Sequence, residues 1–190
     1  TYMKIHGGCR HIHPCIDAAL SLKNEEGVQP EAVEEIAVKV TSAAHAYERE
    51  DPKTYTDARF NTAFLIAVAL QKGEVSDEQI TDRALADERI RTLCAKTRVE
   101  VDPALDRNFP AERGAEVSVR LKNGRTINRK VRFPLGEPEN PLGPESVEKK
   151  FRKALAGIVS LDCIDFLYGF LQDLENQKSL DPFFQAITKR

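Results

Sequence analysis

Residues 117–133 read VSVRLKNGRTINRKVRF, and this segment carries the strongest indication of the fold. Apolar and polar residues alternate in it on both sides of an Asn-Gly pair. Alternation with a period of two is typical of a strand with one buried face. An Asn-Gly pair between two such runs indicates a β-hairpin, so we predict two antiparallel strands here.

The parity of the apolar positions predicts the length of the hairpin loop. These positions are all odd-numbered: Val117, Val119, Leu121, Ile127, Val131 and Phe133. Residues that face each other across a hairpin have numbers with a constant sum. Two odd-numbered residues can therefore face each other only if the loop contains an odd number of residues. We therefore predict a three-residue loop, Lys122-Asn123-Gly124, with Gly124 left-handed, rather than the usual two-residue turn. Arg129 shares this parity and interrupts the apolar pattern, which an edge position would explain.

The same periodicities predict the other elements. Strands are expected at 36–40 and 99–101, where apolar and polar residues alternate. Helices are expected in five segments: from Pro14 to a close at Gly27, from a cap at Thr56 to Gly73, over 87–96, from Pro144 to about Ile158, and over 161–175. Strands and helices that do not strictly alternate predict an α+β fold. We expect a roughly four-stranded, mainly antiparallel sheet packed with helices and ending in C-terminal helices.

The length predicts how the chain is organised. At 190 residues it is expected to form a single α+β domain, 1–190. Within it, 1–142 is predicted as an α/β core and 143–190 as C-terminal helices. The first residue is Thr rather than Met, so we expect the chain to be trimmed or cut from something longer.

Composition excludes several classes of function. Lys and Arg total 28 against 30 Asp and Glu, a net charge of −2 that gives no general attraction to nucleic acid or anionic membranes. The longest uncharged apolar run, Ala63–Leu70, is far shorter than the roughly 20 residues of a membrane span. No basic segment followed by an apolar stretch opens the sequence as given, so we expect no signal peptide in it, and four scattered cysteines are typical of reduced thiols. We therefore predict a cytoplasmic protein that binds neither membrane nor nucleic acid.

The densest polar cluster lies near the start of the chain, where three of the four histidines fall within eight residues. Its members are Lys4, His6, Cys9, Arg10, His11, His13 and Cys15. A zinc site is disfavoured because no Cys-x2-Cys pair and no second ligand pair are present, so we predict no metal. A second interpretation is an anion site with proton-transfer capacity, suited to a substrate with several carboxylates. The third is a solvated polar loop before a helix.

Two further clusters have competing interpretations. Arg59, near a predicted helix start, is suited to binding a carboxylate in bidentate fashion, although Thr56 and Asp57 beside it are also ordinary helix-starting residues. The basic run over 125–132 contains no aromatic residue and lies on the hairpin. A solvated strand face is therefore favoured there over a nucleic-acid patch.

Several of these segments resemble the MmgE/PrpD family. Residues 4–18, KIHGGCRHIHPCIDA, resemble the stretch that opens its C-terminal domain. The same holds for 57–60 (DARF), the Asn-Gly hairpin, 136–142 (GEPENPL) and 149–151 (KKF). These landmarks occur in family order, so the resemblance covers nearly the whole chain.

The resemblance implies a reaction class and a set of site residues. Members are lyases and isomerases, 2-methylcitrate dehydratase among them, which act without a cofactor by moving a proton next to a carboxylate of a small polycarboxylate. By this resemblance Lys4 and His13 are expected to be catalytic, and Cys9 lies where some members carry a further histidine. We assign Arg10, Cys9 and Arg59 to substrate binding. Gly7 and Asn61 stand where proline and serine are common in the family.

The resemblance also implies partners. Members combine a large helical N-terminal domain with a smaller α+β domain, place the active site between the two, and are typically homodimers. We therefore expect this chain to lack the N-terminal domain, to hold half of an interdomain site and to be inactive alone. The alternative is a non-enzymatic binding module that docks a partner through the apolar helix at 161–175.

Overall fold

The computed structural model describes residues 1–188, and within them four strands form one sheet. The strands are β1 (Val33–Val40), β2 (Thr97–Val101), β3 (Ala115–Leu121) and β4 (Thr126–Val131). The helices of this part of the chain are α1 (His13–Asn24), α2 (Ser42–His45), α3 (Tyr55–Ala58), α4 (Thr62–Lys72), α5 (Asp82–Ala86), α6 (Glu88–Ala95), α7 (Pro103–Asp106), α8 (Pro144–Leu155), α9 (Leu161–Gln172) and α10 (Asp181–Thr188).

The strand order in the sheet is β2-β1-β3-β4. β1 pairs with β2 in parallel, whereas the β1–β3 and β3–β4 pairs are antiparallel. The predicted α+β fold with a four-stranded, mainly antiparallel sheet is confirmed, and the sheet is mixed rather than purely antiparallel. The parallel pair is possible because the segment between β1 and β2 is long enough to carry helices α2 to α6 across the sheet.

The hairpin has the predicted loop. Val119 pairs with Ile127, and the Leu121 amide donates to the Arg125 carbonyl at 2.8 Å, which leaves three residues between the strands. Gly124 has φ +86°, the left-handed conformation that glycine adopts without strain. Arg129 lies on the edge strand β4, as its parity suggested, and forms ion pairs with Glu25 and Glu26 just after α1.

The core lies between the sheet and the helices α1 and α4. On β1 the side chains of Val33, Ile36, Val38 and Val40 are buried, which matches the alternation in the sequence. α1 contacts β3 and β4, α4 contacts β2, and the two helices contact each other. α4 is buried from Phe64 to Leu70 because it is apolar on all sides.

Several predicted helix boundaries are wrong, and α8 and α9 each end three residues before the predicted end, at Leu155 and Gln172. The single helix predicted from Thr56 to Gly73 is two helices, because Asn61 is extended and caps α4 by accepting a hydrogen bond from the Phe64 amide at 2.6 Å. The Glu48 carboxylate accepts a hydrogen bond from the Thr62 amide at 2.8 Å, which satisfies a second amide at the start of α4. Thr54, not Thr56, caps the short helix α3. The first helix ends at Asn24, three residues before Gly27.

The chain divides into two compact units, Thr1–Pro141 and a second unit that begins at Leu142. The second unit contains α8, α9 and α10. Ring contacts join Phe151 to Tyr168 at 5.5 Å and Phe170 to Phe183 at 5.8 Å. Residues 189 and 190 of the predicted domain lie outside the described residues. No helix in the described part of the chain is long and apolar enough to cross a membrane.

Gly136 allows the segment after β4 to lie directly against the start of the chain. Its φ is +100°, and the Met3 amide donates to its carbonyl at 3.0 Å. A Cβ at this position would lie 1.9 Å from the Met3 carbonyl oxygen. Glycine is therefore required at position 136 both by the backbone conformation and by the close approach.

We expect Gly136→Ala to lower the free energy of unfolding by roughly 3 kcal/mol or more, because backbone atoms must move in addition to the left-handed strain. Gly124→Ala is the matched control, since Gly124 has φ +86° and nothing lies within 4 Å of its Cβ position. It should cost only about 1 kcal/mol. Chemical denaturation followed by circular dichroism measures both, and equal losses would contradict the close approach at Gly136.

Candidate active site

Two segments of the first unit form the candidate site: residues 2–17 at the start of the chain and the loop 133–140 after β4. The Met3–Gly136 hydrogen bond is one tie between them. The second is made by Asp17 of α1, whose Oδ2 accepts from the Leu135 amide at 2.7 Å. The loop itself is closed by a 2.8 Å hydrogen bond from the Gly136 amide to the Asn140 carbonyl.

The two buried histidines, His6 and His13, lie against each other inside this frame. Their rings meet edge-on with centroids 5.2 Å apart. His6 Nε2 donates to Asp17 Oδ1 at 2.6 Å, and His13 Nδ1 shares a 2.6 Å hydrogen bond with the Tyr2 hydroxyl. His13 has no exposed surface, so in the described chain this predicted catalytic residue lies beneath the surface.

Arg10 is engaged by an internal carboxylate. Its Nη2 lies 2.6 and 2.7 Å from the two carboxylate oxygens of Glu137, and its Nε lies 3.2 Å from Oε1. The guanidinium carbon is also 3.9 Å from the centre of the Tyr2 ring. Glu137 is buried, whereas the Arg10 side chain is 35% exposed. A substrate carboxylate at this guanidinium would therefore compete with Glu137.

The other predicted site residues are spread over the surface and the interior. Lys4 is exposed. Cys9 is half-buried against the core, and its amide donates to the Arg59 carbonyl at 2.7 Å, which joins the two polar clusters through the backbone. The Arg59 side chain points to other partners: its Nη1 donates to the Tyr55 hydroxyl at 2.8 Å and lies 3.7 Å from Asp77.

His11 lies in an aromatic environment. It stacks on Tyr47 with centroids 5.4 Å apart, and the Phe109 ring is 6.1 Å away. Burial lowers the pKa of His11, and the positive charges of Arg113 and Arg10 lower it further. Its imidazole therefore stays neutral to a lower pH than an exposed histidine does.

Sequence analysis missed four residues of this site: Tyr2, Asp17, Tyr47 and Glu137. Asp17 follows His13 by four positions, which places it one turn further along α1. This spacing is a weak local indication that Asp17 belongs to the same site. Glu137 is 127 residues from its partner Arg10, and no local pattern indicates such a contact.

The described residues contain no group of three or more His, Cys, Asp or Glu side chains placed to hold a metal ion. All four cysteines are free thiols. Burial raises the pKa of Cys15 well above its usual value and that of Cys94 to about 12. These two thiols stay protonated and are poor nucleophiles.

A separate open groove of 730 Å³ lies near the start of α4 and is lined by side chains of both charges, among them Glu48, Lys53, Asp82 and Arg91. Burial raises the pKa of the Glu48 carboxyl, which accepts from both the amide and the hydroxyl of Thr62. Glu48 thus serves as a helix cap. The groove shares no lining residue with the His6–His13 cluster.

Comparison with known proteins identifies the family. Residues 6–163 match the model of the MmgE/PrpD C-terminal domain. The chain belongs to the MmgE/PrpD family. This match contains the His6–His13 cluster, the hairpin and the loop 133–140.

Two similar proteins have names that state an enzymatic activity. The chain is 24% identical over 171 residues to cis-aconitate decarboxylase of Homo sapiens, covering 86% of this chain and 35% of the relative. It is 22% identical over 144 residues to cis-aconitate decarboxylase of Mus musculus, covering 76% of this chain and 29% of that protein. The chain thus spans about a third of the length of the curated relatives it matches. These relatives are lyases, which agrees with the reaction class expected from the sequence.

The Arg10–Glu137 pair generates a test of stability. We expect Glu137→Gln to lower the free energy of unfolding by about 1–2 kcal/mol, because it leaves the guanidinium without its carboxylate beside a buried amide. Glu139→Gln in the same loop is the matched control, since Glu139 is exposed and should change stability by less than about 0.5 kcal/mol. Denaturant titration of both variants measures this, and identical curves would show that the pair contributes nothing.

Proposed function

We propose that this chain is the C-terminal domain of a cofactor-independent lyase that acts on small polycarboxylates, and that it contributes one wall of an interdomain active site. The observation that carries the proposal is the cationic, histidine-rich segment 4–13, held in one conformation by the hydrogen bonds of Tyr2 and Asp17. Family membership and the printed name of the relatives support the reaction class.

The exposed cations suit a substrate with several carboxylates. Lys4 offers an ammonium group at the surface of the first unit, and Arg10 and Arg59 are each about one-third exposed. Cationic side chains placed before the substrate binds can stabilise the negative charge that develops when a proton is removed next to a carboxylate. In this proposal Lys4 meets substrate directly, and Arg10 and Arg59 bind carboxylates after exchange with their internal partners.

The buried residues have a supporting role in the proposal. His13 is fully buried and Cys9 is half-buried, so they shape the wall rather than provide its charge. His13 is joined to Tyr2 and contacts His6, which keeps the segment from rearranging. Groups that orient reacting side chains in this way contribute through preorganisation.

The preferred substrate is a tricarboxylate. 2-Methylcitrate, which loses water, is the substrate of one enzyme of the resembled family, and cis-aconitate, which loses carbon dioxide, is the substrate named for the relatives. Both reactions form or remove negative charge next to a carboxylate, and both suit the same cationic wall. A helical N-terminal domain, a homodimeric assembly and a cytoplasmic location complete the proposal by family resemblance.

A second candidate function is a binding module that docks a second copy of the chain through its C-terminal helices. The exposed apolar side chains Ile158 and Leu161, which are 71% and 75% exposed, favour it. The discriminating observation is whether a helical domain is encoded directly upstream of Thr1. Its presence supports the lyase, and its absence supports the module.

We expect the purified 190-residue chain to show no turnover of 2-methylcitrate or cis-aconitate, because half of the proposed site lies in another domain. Substrate loss is followed by chromatography, with the longer two-domain protein as the positive control. Measurable turnover by the 190-residue chain alone would contradict an interdomain site.

In the longer protein we expect Lys4→Ala to reduce kcat/KM by about 100-fold, the effect of removing one charge-stabilising group, with little change in Tm. Lys39→Ala is the matched control, because Lys39 is an exposed lysine of β1 outside the site. Steady-state kinetics and thermal unfolding of both variants are compared. If the Lys4→Ala variant keeps the wild-type kcat/KM, Lys4 is not part of the site.

A further inference from the structure

The polar side chains of the site form a continuous path that ends on His13. The carboxylate of Glu137 holds the guanidinium of Arg10, and this guanidinium lies 3.9 Å from the centre of the Tyr2 ring. The Tyr2 hydroxyl in turn lies 2.6 Å from His13 Nδ1. An ion pair between two distant parts of the chain thus lies directly against the Tyr2 ring.

The length of the last contact favours the Tyr2 hydroxyl as the donor. Over residues 1–188, His13 Nδ1 is the hydrogen-bond partner of the Tyr2 hydroxyl. A separation of 2.6 Å is usual for an O–H donor and shorter than is usual for an N–H donor. A phenol that accepted from an Nδ1–H group would need another acceptor for its own proton.

The surroundings keep the phenol protonated. Burial raises the pKa of Tyr2 well above its usual value, and this outweighs the opposing effect of Arg10. The negative charges of Glu137 and Asp17 act in the same direction as burial. The Tyr2 oxygen therefore carries its proton at neutral pH and has it available for the hydrogen bond.

We propose that Tyr2 is a positioning residue that donates its hydroxyl proton to His13 Nδ1 and thereby places the ring proton of neutral His13 on Nε2. The tautomer of a histidine is set by the hydrogen bond that its other nitrogen makes. Nδ1 is used as an acceptor, so His13 presents an N–H group at Nε2.

This assignment bears on whether His13 can move a proton during catalysis. To take up a proton, the ring would have to use Nδ1, which requires the Tyr2 hydrogen bond to break or reverse. His13 therefore does not act as a proton shuttle while this hydrogen bond is in place. That consequence for catalysis rests on the proposed function, whereas the tautomer itself does not.

Nuclear magnetic resonance of the 190-residue chain tests the tautomer without any substrate. Long-range ¹H–¹⁵N spectra of the assigned histidine side chains, recorded in mildly alkaline buffer where imidazole is neutral, should show His13 protonated at Nε2 and unprotonated at Nδ1. Tyr2→Phe keeps the ring beside Arg10 and removes only the hydroxyl. It should shift the His13 Nδ1 resonance and allow a mixture of both tautomers.

Tyr55→Phe is the matched control, because its hydroxyl contacts Arg59 and Asp77 instead and its loss should leave the His13 spectrum unchanged. A wild-type His13 protonated at Nδ1 overturns the proposal. An unchanged His13 Nδ1 resonance in Tyr2→Phe also overturns it. The wild-type spectrum tests the tautomer of His13 even if the Tyr2→Phe variant folds poorly. Failure of the lyase proposal would appear in turnover and would leave these spectra as they are.

Discussion

The ion pair between Arg10 and Glu137 joins the two ends of the first unit, and the arrangement of the candidate site depends on it. Glu137 is buried, and a buried carboxylate without a partner is strongly unfavourable, so the loop 133–140 can close on the N-terminal segment only with the guanidinium in place. Gly136 then lies against Met3, and the Leu135 amide meets the Asp17 carboxylate. Each of these contacts helps to hold the loop 133–140 against the N-terminal segment.

The pair also shapes the chemistry that the site can perform. Because Glu137 already occupies the Arg10 guanidinium, the positive charge there is balanced and its geometry is set before any ligand arrives. Lys4 is exposed at the surface of the first unit, and the proposal gives it the direct contact with substrate. The Glu137 carboxylate thus holds the Arg10 guanidinium in place before substrate binds, and in the proposal a substrate carboxylate then exchanges with Glu137.

Local sequence patterns were sufficient to predict part of the fold and part of the candidate site. The hairpin loop followed from the parity of its apolar residues, because side chains of a strand alternate and paired positions have a constant sum. The concentration of histidines within eight residues indicated the segment that contains the candidate site, and the family resemblance indicated the same segment. The break between α3 and α4 was missed, because the Glu48 carboxylate, 14 residues before Thr62, supplies the hydrogen bonds that start α4 at that point.

The remaining features required the tertiary structure. Alternation, capping residues and local clusters of one residue type act over a few positions, so they were sufficient to predict the strands, the hairpin and the polar segment from Lys4 to His13. They carry no information about a contact across 127 residues, such as that between Arg10 and Glu137. They also could not show that His13 is fully buried and bonded to Tyr2, because burial depends on which distant segments pack over a residue. Whether a histidine lies at a surface or inside a hydrogen-bonded frame is determined only when the chain has closed on itself.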